Sequence, residues 1–176
     1  TYVDGLAVAN GWNGDSYYRD GVKLTGLQQI DGYYYDFGND GVCEGKAKLD
    51  GFYYDNAVGK YMYFSAGLKI TGEVTAYPTA YFFDADGYAV SGEVEIWGYI
   101  CTFNEKGEFV SATDANVVDA GFSGTNLYYV LLADGTLKVG GTGVMKDYTA
   151  NGIYPAWIIK NEPKAVTSLV LGNGIT

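Results

Sequence analysis

The sequence predicts an all-β protein, built as a solenoid of β-hairpin repeats with a small C-terminal β module. Three observations lead to this prediction. The 176 residues include 26 Gly, 18 Tyr and 8 Phe but only 3 Pro, a composition typical of turn-rich, aromatic β structure. Clusters of aromatic residues with the character of β-strands recur along the chain. A glycine-bounded segment follows these clusters at intervals of about 20 residues, which indicates an internal repeat.

The clearest part of the repeat is a tail in which glycine is followed by four residues and then by a second glycine or small residue. Copies occupy residues 5–10, 21–26, 67–72, 87–92 and 107–112, and a shortened copy occupies residues 41–45. The leading glycines lie 16 to 26 residues apart, so the repeat contains insertions and deletions.

An aromatic segment typical of a β-strand precedes each later tail. These segments occupy residues 17–18, 33–35, 61–64, 81–83 and 99–103. Residues 49–55 form a further, incomplete aromatic strand. The segments 84–87 and 104–107 suit tight turns between aromatic strand and tail, because Gly accepts positive φ and Asp or Asn satisfies nearby backbone groups. We therefore predict a unit of strand, turn and strand. A lone hairpin is marginally stable in water, so each unit must pack on its neighbours.

The repeat period stops after Ala112, and the polar residues 113–116 suggest a domain boundary. We predict hairpin repeats over 1–112 and a small β module over 113–176. Within the module, residues 127–132 and 137–139 form two strands joined across 133–136. A loop then extends to Pro155, and residues 166–171 form a last strand.

Charge and cysteine content exclude several classes of protein. The net charge of -10 argues against nucleic acid, whose binding needs clustered Lys and Arg, and against an anionic membrane surface. The longest strongly apolar stretch, residues 128–133, is too short to span a bilayer. Cys43 and Cys101 are predicted to be free, partly buried thiols. Neither end resembles a natural terminus, so we expect a piece of a longer protein.

The residue types argue against catalysis. Without any histidine, the chain has no Ser-His or Cys-His nucleophile pair and no His-containing zinc site. Its Asp residues fall at predicted turns, and no pair suggests a glycosidase site. Asp84 and Asp86 partly match a calcium loop, but predicted strands flank them where an EF-hand has helices. We predict no enzyme activity, no metal site and no cofactor.

The aromatic strand, Asp-Gly turn and Gly-x4-Gly tail are all present in residues 80–92, AYFFDADGYAVSG. This pattern resembles the choline-binding and glucan-binding repeats of Gram-positive surface proteins, and the resemblance covers residues 1–112. In that family a Gly-Trp pair and a following aromatic strand form cages or sugar-stacking platforms. Gly11-Trp12 preserves the pair, whereas its Trp position elsewhere holds Leu27, Lys46, Glu73 or Glu93. The resemblance implies carbohydrate-binding residues, which are Trp12, Tyr17, Tyr34, Tyr35 and Tyr61.

A second resemblance involves residues 121–176, including Gly124-Thr-Asn-Leu127, Asp134-Gly-Thr-Leu137, Pro155 and Trp157. They are similar to the segment that precedes BspA-type leucine-rich repeats in bacterial surface proteins. This resemblance implies an adhesin-like protein that contacts a host or surface protein through repeats outside this chain.

These resemblances predict a secreted, non-catalytic segment of a cell-surface protein that binds cell-wall polysaccharide, glucan or teichoic-acid choline. Sugar is favoured over choline, because a quaternary ammonium needs several ring faces around one point, and Ala80 and Ile100 supply none at the strand's Trp position. Two alternatives remain open. The chain could be a structural spacer whose rings all serve packing, or an accessory region of a wall-active hydrolase.

Overall fold

The computed structural model describes residues 2–3, 6–7, 10–76, 79–123, 126–144, 155–161 and 166–175, and it confirms the predicted all-β fold. The chain divides into two compact units. The first unit contains Thr1–Phe52 and Phe64–Lys69, and the second contains Tyr53–Tyr63 and Ile70–Thr176.

Short strands and one 3-10 turn make up the N-terminal part of the chain. In order they are β1 (Tyr2–Val3), β2 (Leu6–Ala7), β3 (Gly11–Asn13), β4 (Ser16–Arg19), β5 (Val22–Lys23), β6 (Leu27–Ile30), β7 (Tyr33–Asp36) and the 3-10 turn Glu44–Lys46.

Longer strands and one short helix follow. In order they are β8 (Gly51–Asp55), β9 (Lys60–Ser65), β10 (Leu68–Lys69), β11 (Gly72–Ala76), β12 (Thr79–Phe83), β13 (Gly92–Ile96), β14 (Tyr99–Phe103), β15 (Phe109–Ala112), β16 (Val117–Phe122), β17 (Leu127–Leu132), β18 (Thr136–Gly141), α1 (Ala156–Asn161) and β19 (Ser168–Leu171).

The pairing of the aromatic strands differs from the predicted unit. We predicted that each aromatic strand pairs with the tail after it, but its longer partner is the strand before it. Thus β6 pairs with β7, β11 with β12, and β13 with β14, all antiparallel. The tails supply only the two-residue strands β2, β5 and β10, a single bridge such as Phe83 to Ala89, or the longer β15.

Two-residue turns explain why the preceding strand is the longer partner. Asp31 and Gly32 have φ of 50° and 85°, and Trp97 and Gly98 have φ of 55° and 78°. Positive φ at both central residues is characteristic of the type I′ turn, whose twist matches that of the flanking strands. Strands on both sides of such a turn can therefore pair over their full length.

The turns predicted after β12 and β14 are present. The Oδ1 atom of Asp84 accepts hydrogen bonds from the backbone N–H groups of Asp86 and Tyr88, at 3.0 and 2.9 Å. The Oδ1 atom of Asn104 does the same for Lys106 and Glu108, at 3.0 and 3.1 Å. As expected for Asx turns, these side chains satisfy local backbone donors.

A four-stranded sheet forms the C-terminal part, in the order β16-β17-β18-β19, with only the β18–β19 pair parallel. The predicted strands at 127–132, 137–139 and 166–171 are confirmed as β17, β18 and β19. The strand β16 and the helix α1 were not predicted from the sequence. Most of the predicted loop before Pro155, residues 145–154, lies outside the described residues.

Each unit has its own hydrophobic core. In the first unit, Ile30, Phe37 and Cys43 are buried beneath partly buried rings. The described core of the second unit is larger and includes Phe82, Phe103, Tyr129, Val130 and Trp157. This core contains residues from both sides of Ala112, and the predicted division into domains at that residue stays a prediction. No helix in the described parts of the chain is long and apolar enough to cross a membrane.

Candidate functional site

Three of the five predicted binding residues meet in the first unit. Trp12 on β3 lies opposite Tyr17 on β4, and their ring centroids are 5.4 Å apart with an interplanar angle of 89°. Tyr35 on β7 approaches the same Trp12 ring at 5.3 Å and 72°. The hairpin β3–β4 and the strand β7 therefore bring two tyrosines edge-on to one tryptophan.

The fully buried ring of Phe37 supports this group from the core. Its centroid lies 5.5 Å from that of Trp12, and the two planes are inclined by 34°. We call Trp12, Tyr17, Tyr35 and Phe37 the ring cluster. Trp12, Tyr17 and Tyr35 are only partly buried. The cluster thus has a buried base and an accessible side, an arrangement that can hold a ligand against aromatic surface.

Lys46 adds a positive charge to the ring cluster. Its Nζ atom lies 5.4 Å from the centroid of the Trp12 ring, within the usual range of a cation–π contact. Lys46 is the last residue of the 3-10 turn Glu44–Lys46. A hydrogen bond of 2.8 Å from the backbone N–H of Cys43 to the carbonyl oxygen of Asp15 ties this segment to the turn between β3 and β4. Sequence analysis did not include Lys46 among the site residues.

Burial raises the pKa of two titratable groups, Tyr35 in the ring cluster and Cys43 in the core beneath it. It is the main cause that raises the pKa of Tyr35, and the negative charge of Asp31 raises it further. Burial also raises the pKa of the Cys43 thiol, against a smaller lowering by a backbone hydrogen bond of Ala47. At neutral pH both groups are therefore uncharged. The Tyr35 hydroxyl retains its capacity to donate and accept hydrogen bonds.

Tyr34, the fourth predicted residue, lies elsewhere in the first unit. Its ring packs on Phe64 with a centroid distance of 5.1 Å. Its backbone N–H donates to the carbonyl oxygen of Gly67 at 2.8 Å, and its carbonyl oxygen accepts from Leu49 at 2.9 Å. Successive side chains of a strand point to opposite faces, so Tyr34 and Tyr35 have different neighbours. The partner of Trp12 on β7 is thus Tyr35.

Tyr61, the fifth predicted residue, lies in the second unit and forms a separate pair with Tyr54. Their ring centroids are 4.9 Å apart, and the Tyr54 side chain is 43% exposed. The Nζ atom of Lys106 lies 5.6 Å from the Tyr61 centroid. The sequence predicts an aromatic strand around Tyr54, but no binding role was expected for that residue. Only the pairing of β8 and β9 shows that the exposed Tyr54 ring lies beside Tyr61.

Among the residues that the structure describes, no group of three or more Cys, Asp or Glu side chains could hold a metal ion. The prediction that the protein uses no metal or cofactor stays a prediction.

Two comparisons with known proteins find similar repeats in streptococci. A stretch of 110 residues, 60% of this chain, is 36% identical to Glucosyltransferase-S of Streptococcus mutans. The chain spans only 7% of the length of that enzyme. No family model matches the sequence.

Solved structures of choline-binding proteins match parts of this chain with TM-scores below 0.5. Choline binding protein F of Streptococcus pneumoniae, crystallised with a peptidoglycan analogue, is 22% identical and covers 79% of this chain with a TM-score of 0.42; the match spans 42% of that protein. The choline-binding domain of Spr1274 from the same species is 24% identical and covers 50% of this chain, with a TM-score of 0.36 and 96% of that domain matched. The comparisons give no support to the leucine-rich-repeat resemblance of residues 121–176, which stays a prediction.

Proposed function

We propose that this chain is a non-catalytic segment of a bacterial cell-surface protein that binds cell-wall polysaccharide or glucan. The observation that carries the proposal is the ring cluster, in which Tyr17 and Tyr35 approach the partly buried Trp12 ring edge-on, at 5.4 and 5.3 Å. The similarity of the chain to Glucosyltransferase-S supports a carbohydrate ligand. An extracellular, wall-associated location would bring the ring cluster to such polymers.

Ring stacking is the proposed mechanism. The apolar face of a pyranose can lie on one or two aromatic rings, while hydroxyl groups such as that of Tyr35 bond to the edge of the sugar. A neutral polysaccharide is not repelled by the net charge of -10. Single contacts of this kind are weak. Several sites along one polymer would bind together through avidity, and Tyr54 with Tyr61 is a candidate second site.

Isothermal titration calorimetry with dextran oligosaccharides and soluble peptidoglycan fragments tests the proposal. The wild-type chain is expected to give saturable heat. Tyr35→Ala, which removes one ring from the cluster, should weaken binding about tenfold, equal to about 1.4 kcal/mol. Tyr33→Ala is the matched control, since Tyr33 lies on the same strand, is 36% exposed and is outside the ring cluster.

Two outcomes would contradict the proposal. Absence of binding to both polymers at millimolar concentration would favour the structural spacer, in which the rings serve only packing. An equal loss in Tyr35→Ala and Tyr33→Ala would place the binding site outside the ring cluster. Far-UV circular dichroism of each variant verifies folding. Release of reducing sugars during the titration would overturn the non-catalytic assignment.

A further inference from the structure

The ring cluster has the aromatic arrangement that attracts a cation. The faces of Trp and Tyr rings carry negative electrostatic potential, and several rings around one point form a cage for an ammonium group. Trp12 contacts Tyr17 and Tyr35 in edge arrangements, with centroid distances of 5.4 and 5.3 Å. These rings touch one another, so a cation would bind on the Trp12 ring beside the tyrosines. A Trp12 ring with no cation over it would suit a quaternary ammonium ligand.

The chain itself supplies an ammonium group to this cluster. The Nζ atom of Lys46 lies 5.4 Å from the Trp12 ring centroid, and the hydrogen bond between Cys43 and Asp15 holds the preceding segment in place. A second cation at the same ring would lie within a few ångströms of the Lys46 charge. Like charges at such a distance repel, so the ligand would have to displace the lysine first.

The backbone of Lys46 has the left-handed conformation of a tight turn, and its side chain is exposed. Lys46 has a φ of 53°, directly after Gly45 with a φ of 62°. The left-handed region is unfavourable for a residue with a Cβ atom, and such strain persists only where neighbouring contacts fix it. Glycine would adopt this conformation without strain. Ala66 has a similar φ of 49°, so the turn alone accounts for this backbone. A role for the Lys46 side chain therefore rests on its contact with Trp12.

We propose that Lys46 acts as a built-in cation at the Trp12 ring and determines the ligand class of the ring cluster by charge repulsion. It excludes quaternary ammonium ligands such as choline and leaves the cluster to uncharged or anionic glycans. The exclusion of cations rests on the geometry at Trp12, whereas the preference for glycans rests on the proposed function. Lys46 is thus a specificity-determining residue.

Choline chloride is the probe for this proposal, and binding is followed by calorimetry and by the indole N–H resonance of Trp12, assigned with Trp12→Phe. Lys46→Gly removes the ammonium group and suits the positive φ, so the variant is expected to fold. Wild type should show no saturable choline binding at millimolar concentration. Lys46→Gly should bind choline at least about tenfold more tightly than the wild type does. The corresponding gain in binding free energy lies within the range of a cation–π contact.

Two control variants separate local from general electrostatics. Lys48→Gly makes the same change in net charge, but the Nζ atom of Lys48 lies over Tyr33, at 3.1 Å from its ring centroid and outside the ring cluster. It should remain unable to bind choline. Lys46→Arg keeps the positive charge and should also remain unable to bind. Choline binding by Lys46→Gly that is no stronger than that of Lys48→Gly would overturn the proposal.

A dextran titration of the same variants distinguishes this proposal from the proposed function. Gain of choline binding in Lys46→Gly, without any dextran binding by the wild type, would support the exclusion of cations and refute the glycan ligand. Dextran binding by the wild type, with no gain of choline binding in Lys46→Gly, would overturn the role of Lys46 and leave the proposed function standing.

Discussion

The two compact units use their aromatic rings in different ways. In the first unit, Trp12, Tyr17 and Tyr35 are only partly buried and cover a small described core. In the second unit, Phe82 and Tyr129 have no exposed surface and form part of a much larger described core. Rings of one residue type therefore lie at the surface of the first core and in the interior of the second, although Phe37 of the first unit is buried and Tyr54 of the second is 43% exposed.

The difference follows from what covers the rings. In the second unit, the sheet β16–β19 and the helix α1 add apolar residues such as Val130 and Trp157 around the repeat strands. A ring enclosed on every side contributes its full burial to stability but cannot reach a ligand. A ring on a thin hairpin layer stays accessible and stabilises its unit less. Each ring therefore either stays accessible for binding or contributes fully to the stability of its unit.

Removal of a central ring from the second unit should have the largest effect. Phe82 is fully buried and lies 6.0 Å from Phe103, 5.9 Å from Phe122 and 6.2 Å from Tyr129, between ring centroids. Phe82→Ala leaves a cavity among these rings and should cost about 3–5 kcal/mol of unfolding free energy. Urea denaturation followed by circular dichroism measures this loss.

Phe37→Ala is the matched variant in the first unit, because Phe37 is also fully buried. Its neighbours Trp12 and Tyr35 are only partly buried, so they can move into the space and reduce the cost. We expect a loss near the lower end of the same range, about 3 kcal/mol. A larger loss for Phe37→Ala than for Phe82→Ala would contradict the comparison of the two units.

The sequence was sufficient to predict the fold class and the position of most strands. Aromatic alternation and the repeat period indicated the strands, and Asp84 and Asn104 marked their turns correctly. The pairing partners were wrong because one decisive turn contains Trp97, which is not a typical turn residue, although its φ is 55°. The strand β16 was missed because Asp119 interrupts its apolar pattern. In the structure Asp119 is buried and accepts a hydrogen bond of 3.0 Å from the Tyr129 hydroxyl.

The candidate site was less predictable than the fold. A family pattern pointed to Trp12 and several tyrosines, but which rings meet depends on strand pairing and on the face of each strand. Tyr35 joins Trp12, whereas its neighbour Tyr34 packs on Phe64. Lys46 lies 34 positions after Trp12 in the chain, and no local pattern indicates that its ammonium group lies over that ring.

Each unit contains one of the two cysteines, which allows a direct comparison of local opening. Cys101 in the second unit has no exposed surface, and burial, together with the charge of Asp119, raises its thiol pKa to about 11. Cys43 in the first unit is 5% exposed, and its pKa is also raised, mainly by burial. Alkylation requires the thiolate, so at neutral pH both thiols should react only when their surroundings open.

We expect iodoacetamide to label Cys43 at least about tenfold faster than Cys101, a difference of about 1.4 kcal/mol in the free energy of opening. Peptide mass spectrometry over a time course measures both rates in one sample. Both rates should rise with pH, because the thiolate fraction of the opened state increases as the pH approaches the ordinary pKa of a thiol. In urea the two rates should converge. Faster labelling of native Cys101 would show that the larger core opens more readily than the smaller one.

The smallest expected effect concerns turns. In the second unit the Oδ1 atom of Asn104 accepts two backbone N–H groups, at 3.0 and 3.1 Å. In the first unit the Oδ1 atom of Asp36 has one described backbone donor, the N–H of Gly38 at 2.9 Å. Asn104→Ala should cost about 1 kcal/mol, because a hydrogen bond contributes about 0.5–1.5 kcal/mol net, and should lower the melting temperature by about 2–4 °C.

Two variants show whether this effect comes from the Oδ1 atom. Asn104→Asp keeps the acceptor for both N–H groups and should lose less stability than Asn104→Ala. Asp36→Ala removes one exposed bond and should change the melting temperature less than Asn104→Ala does, because water can replace the lost acceptor. Differential scanning calorimetry gives all three values. An equal or larger decrease for Asp36→Ala would mean that the first unit depends on its turns as strongly as the second, since its thin layer of rings supplies less of its stability.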